Sequence, residues 1–421
     1  MDLTVAHISG GNELLYNDWR SGNESERVTN EHERLPGNVT SELKFRTLSG
    51  TGFIFIGCML SVTWSFGTFF NGLCLYIFAT TAGLRSPTNI FIIALNLCDF
   101  LMCFVGTPAA LTSAWARRWL WGRAGCKIEG FLVYFLGMTS MYLLTAIAVI
   151  RYIAISKPLL VRRISTAVAV VSCVCCSLLG FLWAVLPAFG WNEFGLEGAG
   201  ISCSVIWHST DPSCMSYIWT VFFTCLVIPV GVMLFSYGGV LVTLRNLNRN
   251  SVWDLNSRVA KKNLAIEKKM LRTSVLIVLS FICFWTPYAA VSFITAFFGA
   301  EHISAIFASI PPVVAKCQGL MDPVIYVASN KQVRTEVLKM LPCRVLQEQL
   351  LKRISRSTKE LESVEFHLGD ETAFKRRSTQ TKNEMEEVSG QQTRQWGKQN
   401  QVQPLNNRLK EDEERHKDTV L

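Results

Sequence analysis

The chain has 421 residues, half of them hydrophobic, and its mean hydropathy is +0.27. It carries 41 Lys and Arg against 32 Asp and Glu, a net charge of +9. This apolar composition excludes an ordinary soluble globular protein. Because the positive charge is spread over the polar loops and the C-terminal tail, it indicates membrane topology and contact with lipid surfaces, and argues against nucleic-acid binding.

Seven apolar blocks follow one another along the chain, each near the ~20 residues that a helix needs to cross a bilayer. They predict an all-α membrane protein, a seven-transmembrane helix bundle. No internal repeat or pair of interrupted spans is evident, which disfavours a channel or a transporter. The blocks are residues 52–79, 88–112, 126–149, 167–188, 216–243, 270–298 and 303–328.

The charged loops predict the orientation of these spans. Residues 1–50 contain no apolar core of a cleavable signal peptide, so the first span is expected to act as the signal anchor. Lys and Arg are abundant after spans three, five and seven, which predicts an extracellular N-terminus and a cytoplasmic C-terminus in the plasma membrane. Four cations on the outer side run against this trend: Arg117, Arg118, Arg123 and Lys127.

Three regions follow from this organisation. Residues 1–50 form an extracellular tail with two glycosylation sequons, at Asn23 and Asn38. Residues 51–345 form the helical domain, which is expected to end in a short amphipathic eighth helix. Residues 346–421 are charged, rich in Gln, Ser and Thr and nearly free of aromatics, and this composition predicts a disordered cytoplasmic tail.

Among the polar side chains inside the predicted spans, where such groups are rare and face the bundle interior, five are singled out. Asn71, Asp99 and Asp322 can form a polar cluster, with water or sodium, that only holds helices together, or they can take part in switching. Lys316 and Glu129 can form a purely structural ion pair. A buried lysine otherwise needs a chemical role, since a cation at the bilayer centre costs about 2.5–3.5 kcal/mol.

Prolines predict where the spans bend. Pro187, Pro229, Pro287 and Pro323 lie inside or near the ends of spans, where each removes a backbone hydrogen bond. The segment FWTPY, residues 284–288, joins such a kink to bulky aromatic side chains. This combination suits a hinge that senses a ligand, although aromatic packing beside a proline is common.

Three of the 14 cysteines are expected on the oxidising side of the membrane: Cys126, Cys203 and Cys214. A disulfide between Cys126 and Cys203 would join the top of span three to the second outer loop. The sequence leaves Cys214 open as the alternative partner.

Residues 50–345 resemble a rhodopsin-type seven-helix receptor and, within that class, an opsin. The resemblance is carried by FNGLCLY in span one, NIFIIALNLCDF in span two, VIRY at the end of span three, FWTPY in span six and AKCQGLMDPVIY in span seven. Most of these motifs indicate only the receptor superfamily. Lys316, six residues before Asp322, is more specific, because opsins carry retinal at that position.

The resemblance implies a retinal cofactor, 11-cis or all-trans, bound to Lys316 as a Schiff base. It implies that Glu129 is the counterion and that Glu197 assists it or replaces it in the photoproduct. The pocket would be completed by Trp285, Tyr288, Phe281, Gly137, Met138, Phe222 and Cys225.

The resemblance also implies an activation switch, which this chain carries with departures. Its residues would be Arg151, Tyr152, Glu267, Asp99, Asn71, Asp322, Pro323, Tyr326 and Tyr237. Ile150 replaces the acid that normally restrains the arginine, and Glu267 can still pair with Arg151. Asp322 replaces an asparagine, and Ser177 stands at the usual tryptophan position of span four, although Trp183 remains.

On the cytoplasmic side the resemblance implies coupling to a heterotrimeric G protein. The tripeptide Asn330-Lys331-Gln332 resembles opsins that use inhibitory or transducin-like G proteins, and Cys343 is a candidate palmitoylation site. Tail hydroxyls are candidate sites for a receptor kinase and arrestin, and Thr419 and Leu421 suit a PDZ domain. The segments GISCSVIWHS and PYAAVSF resemble neuropsin-like and encephalopsin-like non-visual opsins.

Two other functions compete with a light-activated receptor that is not an enzyme. One is a retinal photoisomerase without signalling; the presence of Arg151, Pro323 and Tyr326 argues against it. The other is a receptor for a diffusible ligand in which Lys316 binds an anion. Lys316 and Glu129 occurring together in opsin register disfavour that alternative.

Overall fold

The structure is a computed structural model that describes residues 48–161, 163–207, 209, 211–249, 258–299 and 303–340. The chain divides into two compact units, Met1–Val337 and Leu338–Leu421, and the helical bundle lies in the first. The predictions for Asn23, Asn38, Cys343 and the tail from residue 346 concern residues outside this description.

The described chain is a bundle of long helices. They are α1 (Gly50–Thr80), α2 (Pro87–Ala116), α3 (Gly122–Ser156), α4 (Thr166–Val185, continued by a 3₁₀ turn at Leu186–Phe189), α5 (Pro212–Val221, then Ile228–Arg249), α6 (Arg258–Phe298), α7 (Ala305–Ser329) and α8 (Lys331–Lys339). Shorter pieces are a 3₁₀ turn at Ala82–Leu84 and one helical turn at Pro158–Val161.

Local sequence explains where several helices begin. Ser49, Ser86, Ser165 and Ser304 each accept a hydrogen bond from a backbone N–H of the first turn, which satisfies a donor that the helix leaves unpaired. Asp211 does the same for α5. Prolines follow two of these caps, where their missing N–H costs nothing.

Six described helices are long and apolar enough to cross a membrane: Gly50–Thr80, Pro87–Ala116, Gly122–Ser156, Thr166–Phe189, Pro212–Leu247 and Leu264–Phe298. The seventh, α7, has the length of a span but is less apolar, because it contains Lys316, Gln318 and Asp322. These three side chains are buried in the bundle. The prediction of a seven-helix bundle with a short eighth helix is thus confirmed.

The interior of the bundle follows the usual logic of a membrane protein, with polar groups inside and apolar groups on the lipid-facing surface. α3 is the central helix and carries the largest set of buried residues, including Arg151 and Glu129. The lipid-facing sides of α4 and α5 expose large apolar residues such as Val171, Leu178 and Phe235.

Three spans depart from regular α-helix, and the sequence analysis did not predict this. π-Helical stretches occur at Thr63–Gly67 in α1, Met102–Gly106 in α2 and Phe222–Val227 in α5. The stretch in α5 ends just before Pro229. Pro287 and Pro323 lie inside α6 and α7, while Pro187 lies in the 3₁₀ turn that ends α4.

A two-stranded antiparallel hairpin covers the outer side of the bundle and was also not predicted. Strand β1 (Phe194–Glu197) pairs with β2 (Ser202–Val205). The entry to β1 is fixed by Asn192, which adopts a left-handed conformation with φ 92° and bonds both the N–H and the C=O of Ile206. Partial burial raises the pKa of the neighbouring Glu193 carboxyl.

The contact between α3 and α4 depends on a glycine. A Cβ atom added at Gly180 would lie 2.9 Å from the backbone nitrogen of Thr139 and 3.1 Å from the carbonyl oxygen of Phe135. Both are main-chain atoms of α3, so neither can rotate away. The close approach of these two helices therefore requires glycine at this position.

We predict that Gly180→Ala lowers the free energy of unfolding by about 1–3 kcal/mol, as overpacking of a well-packed interface does. Gly238→Ala on α5 is the matched control, because no atom lies within 4 Å of its added Cβ. The measurement is the thermal unfolding temperature of each detergent-purified variant. Equal temperatures for the two variants would show that the α3–α4 contact tolerates a methyl group.

Candidate ligand-binding site

A large apolar cavity lies in the outer half of the bundle, between α3, α5, α6, α7 and the hairpin. Its walls include nine residues that the sequence analysis assigned to a pocket: Lys316, Glu197, Trp285, Tyr288, Phe281, Gly137, Met138, Phe222 and Cys225. Lys316 is the only lysine among the described residues that line it. The cavity is therefore suited to an elongated apolar ligand, which would meet the amine of Lys316 at the cavity wall.

The buried amine of Lys316 lies beside a buried carboxylate. The distance from its Nζ to Oε1 of Glu129 is 3.3 Å, and the two side chains are only 4% and 3% exposed. Nζ also donates a hydrogen bond of 2.9 Å to Oγ of Ser202. Glu129 lies behind the amine and is not itself part of the cavity wall.

The hairpin supplies the groups that hold this pair. The backbone N–H of Cys203 donates to Oε2 of Glu129 at 2.6 Å, so the carboxylate is bound at both oxygens. Cys203 is joined to Cys126 of α3 by a disulfide, which confirms the predicted pairing. Cys214 is a free, buried cysteine.

A second carboxylate reaches the same place from the opposite strand. Glu197 faces Ser202 in the hairpin register, and its Oε1 lies 3.3 Å from Oγ of Ser202. Ser202 Oγ also lies 3.4 Å from Oε1 of Glu129. Since a hydroxyl carries one proton, Ser202 can donate to only one of these carboxylates at a time while it accepts from Lys316.

Tyr288 fixes the other oxygen of Glu197. Its hydroxyl donates to Oε2 at 3.2 Å and accepts a bond of 3.2 Å from Nε1 of Trp207. The rings of Trp207 and Tyr288 meet edge to face. The second carboxylate is thereby tied to α6, whereas Glu129 is tied to the disulfide-linked strand.

Aromatic rings form the inner end of the cavity. Trp285 stacks on Phe281 one turn below it, with ring centroids 5.3 Å apart. Its indole also presses against α3, because a Cβ at Gly137 would lie 2.7 Å from Cη2 of Trp285. A ligand that moves this ring would therefore act on α3 and α6 together.

A polar cluster below the cavity contains three predicted switch residues. Asn71 donates to the carbonyl of Gly319 at 2.7 Å and accepts a hydrogen bond from Asn96, which the sequence analysis did not single out. Asp99 and Asp322 are fully buried nearby, at 2% and 0% exposure. The cluster joins α1, α2 and α7 beside Pro323.

At the end of the bundle opposite the hairpin, Arg151 is completely buried, and its Nη1 lies 3.4 Å from Oε2 of Glu267 on α6. Ile150 at its side is buried and apolar, so it offers the guanidinium no acceptor. Tyr326 is buried and Tyr237 largely so in the same region. Tyr152 instead packs on α5, with its ring 5.8 Å from that of Phe235.

The three residues after α7, Asn330 to Gln332, differ in structural role and in exposure. Oδ1 of Asn330 accepts from the N–H groups of Gln332 at 2.9 Å and Val333 at 3.4 Å, so Asn330 caps α8. Gln332 is exposed, and Lys331 is partly exposed. Val333 anchors α8 in the main apolar core.

Sequence reasoning missed several residues at this site. Ser202 bonds the lysine, and its only sequence signal is its position immediately before Cys203. Tyr134 in α3 and Trp207 in the loop after β2 line the cavity, but aromatic residues are too common in this chain for either to be singled out. Glu129 is held by Cys203, Glu197 by Tyr288, and Ser202 lies between them; this arrangement depends on the hairpin, which has no clear sequence signature.

Comparison with known proteins assigns this chain to a family. The family model of the 7 transmembrane receptor (rhodopsin family) matches residues 70–326. Melanopsin of Homo sapiens is 32% identical over 302 residues, covering 68% of this chain and 62% of that protein. Parapinopsin of Ictalurus punctatus is 32% identical over 294 residues, covering 69% and 83%.

A solved structure agrees with this. The crystal structure of squid rhodopsin matches with a TM-score of 0.67 and 27% identity, covering 71% of this chain and 88% of that one. The chain spans 42–62% of the length of four melanopsins that it matches. The narrower likeness to neuropsin or encephalopsin stays a prediction. The extent of the family match, the opsin relatives and the shared fold lead to one conclusion: this chain belongs to the rhodopsin family of seven-transmembrane receptors, as an opsin of the non-visual type.

Proposed function

We propose that this opsin is a light-activated receptor that binds retinal covalently at Lys316 and activates an inhibitory or transducin-like G protein. The observation that carries the proposal is the buried pair of Lys316 and Glu129 at 3.3 Å, at the wall of an apolar cavity. Retinal would supply an aldehyde that condenses with the amine, releasing water, and a polyene whose shape changes on absorbing light.

The residues around Nζ suit this chemistry. A carboxylate at 3.3 Å favours a positive charge on the nitrogen, and its own position is held by Cys203. Glu129 is therefore the proposed counterion. Glu197 reaches the same nitrogen only through Ser202, so we assign it the secondary role. It would assist Glu129, or replace it in the photoproduct, when Ser202 accepts from the nitrogen and directs its own proton to Glu197.

The signal would leave the cavity through Trp285 and Phe281. Because Trp285 is wedged against Gly137, a change of ligand shape there displaces α6 relative to α3. The cytoplasmic ends of the same two helices are joined by Arg151 and Glu267. Breaking that contact would shift the bundle toward an arrangement with α6 swung outward.

The buried cluster of Asn71, Asp99 and Asp322 would support this switch at the level of α7, with Pro323, Tyr326 and Tyr237 rearranging below it. Asn330, Lys331 and Gln332 are the proposed G-protein contacts, and Asn330 also caps α8. We also propose an extracellular N-terminus in the plasma membrane. Proposed cytoplasmic partners are a receptor kinase, arrestin and a PDZ protein at Thr419 and Leu421.

The first prediction from the proposed function concerns the absorption spectrum. Protein purified with 11-cis-retinal should show a light-sensitive band that Lys316→Ala abolishes. Glu129→Gln should move the band toward the near ultraviolet at neutral pH, because the charged nitrogen loses the carboxylate that stabilises it and gives up its proton. Glu197→Gln is the matched control, and its dark band should move little.

Two results would contradict this proposal. No band with either 11-cis or all-trans retinal would favour a receptor for a diffusible ligand, with Lys316 as an anion-binding residue. A band with light-driven isomerisation but without activation of any G protein would favour the photoisomerase.

The second prediction concerns signalling in the dark. Ile150→Glu should reduce dark signalling roughly fivefold, since an acid beside the buried Arg151 stabilises the off-state by about 1 kcal/mol. Ile150→Leu is the control of similar size and should change nothing. Dark nucleotide exchange on the purified G protein is the measurement. Dark signalling no higher in the native receptor than in Ile150→Glu would remove the argument for a loosely restrained arginine.

The third prediction concerns the choice of G protein. Illuminated receptor should exchange nucleotide on inhibitory-type G protein faster than on stimulatory or phospholipase-linked types. Lys331→Ala with Gln332→Ala should lower that rate several-fold without lowering the thermal unfolding temperature. Asn330→Ala should lower both, because it also removes the cap of α8 at a typical cost of ~1 kcal/mol. Preference for another G-protein class would refute this assignment.

A further inference from the structure

The π-helical stretch of α5 leaves one main-chain carbonyl without its regular partner. Ile228 N–H bonds the carbonyl of Phe223, five residues earlier, which is the π-helical pattern. In that register the next donor would be the N–H of residue 229, directed at the carbonyl of Thr224. Residue 229 is proline and has no N–H, so Thr224 C=O needs a donor from elsewhere.

The replacement donor comes from another helix. The hydroxyl of Tyr142 on α3 lies 3.3 Å from the carbonyl oxygen of Thr224 and donates to it. The same hydroxyl lies 3.2 Å from Sγ of Cys225 and accepts a bond of 2.9 Å from Nε1 of Trp183 on α4. One donated and two accepted bonds use the full capacity of a phenol hydroxyl when Cys225 is the donor.

The π-helical stretch of α2 also precedes a proline, Pro108, but its side-chain bond stays within the helix. The hydroxyl of Thr107 donates to the carbonyl of Met102, five residues earlier, at 2.9 Å. In α5 the hydroxyl of Thr224 turns back to the carbonyl of Thr220 instead, at 2.7 Å. The register of α5 therefore depends on a residue of α3.

This dependence connects the ligand cavity to the cytoplasmic half of α5. Cys225 and Phe222 belong to the π-helical stretch and also line the cavity. Below the stretch, Ile228–Arg249 runs to the cytoplasmic end, where Thr243 hydrogen-bonds Ser156 of α3 at 2.7 Å. A loss of π register above would turn this lower segment about its axis, since a π turn holds one residue more than an α turn.

We infer that Tyr142 is a positioning residue that stands in for the N–H missing at Pro229 and thereby holds α5 in its off-state register. The register, and with it the receptor's off-state, is stabilised by a bond between two helices. The part of this inference that concerns signalling rests on the proposed G-protein function; the part that concerns α5 does not.

The test is a double-mutant cycle between Tyr142→Phe and Pro229→Ala. Tyr142→Phe alone should lower the thermal unfolding temperature of the retinal-free protein by about 3–6 °C. Pro229→Ala restores an N–H that can bond Thr224, so in that background the same substitution should lower the temperature by less than half as much. Trp183→Phe is the control: it removes only a bond that Tyr142 accepts, so its effect should be equal in both backgrounds.

A second readout separates positioning from simple stability. Tyr142→Phe should raise retinal-free nucleotide exchange on the G protein at least twofold, and Pro229→Ala should reduce that increase. Equal temperature losses in both backgrounds would overturn the inference. Non-additive temperatures with unchanged exchange would overturn the link to the off-state. If native receptor with retinal activates no G protein, the proposed function fails, while the temperature cycle still decides the role of Tyr142.

Discussion

The structure depends first on a charge that must not be left alone in a membrane. An ammonium group at the centre of a bilayer is costly, and removing one partner of a buried ion pair leaves the other uncompensated. Lys316 is placed beside Glu129, and Glu129 in turn is bound by the backbone of Cys203. The position of the outer hairpin, and hence the shape of the cavity roof, follows from the need to satisfy these two buried groups.

The same principle organises the layers below. Asn71 accepts from Asn96 and donates to the backbone of α7, and Arg151 reaches Glu267 on α6. Each polar contact joins different helices, so each is also a point at which the bundle can change its arrangement. Apolar packing fills the space between the layers, as where Phe281 stacks on Trp285, and under the proposed function a displacement at one layer would pass to the next because packed rings cannot interpenetrate.

Much of this was predictable from sequence, and the limits have physical reasons. Span number follows from composition, and Lys316 stands out because charge inside a span is rare. The disulfide was preferred from position alone, and the structure confirms it. Three features were not predicted: the hairpin, the π-helical stretches, and the contacts of Ser202 with Lys316, Glu129 and Glu197. They arise from hydrogen bonds between segments distant in sequence. Asn330 was predicted as a G-protein contact, and the structure shows in addition that its side chain caps α8. Local sequence patterns cannot distinguish these two uses of an asparagine.

The disulfide between Cys126 and Cys203 has a consequence for how the protein is made. The backbone N–H of Cys203 also donates to Glu129. The ordering of the carboxylate next to Lys316 is therefore coupled to the oxidation of the two thiols. Folding in a reducing compartment would leave β2 untethered and the lysine beside a less ordered anion. Oxidation of these two cysteines is thus a chemical precondition for the ordered site.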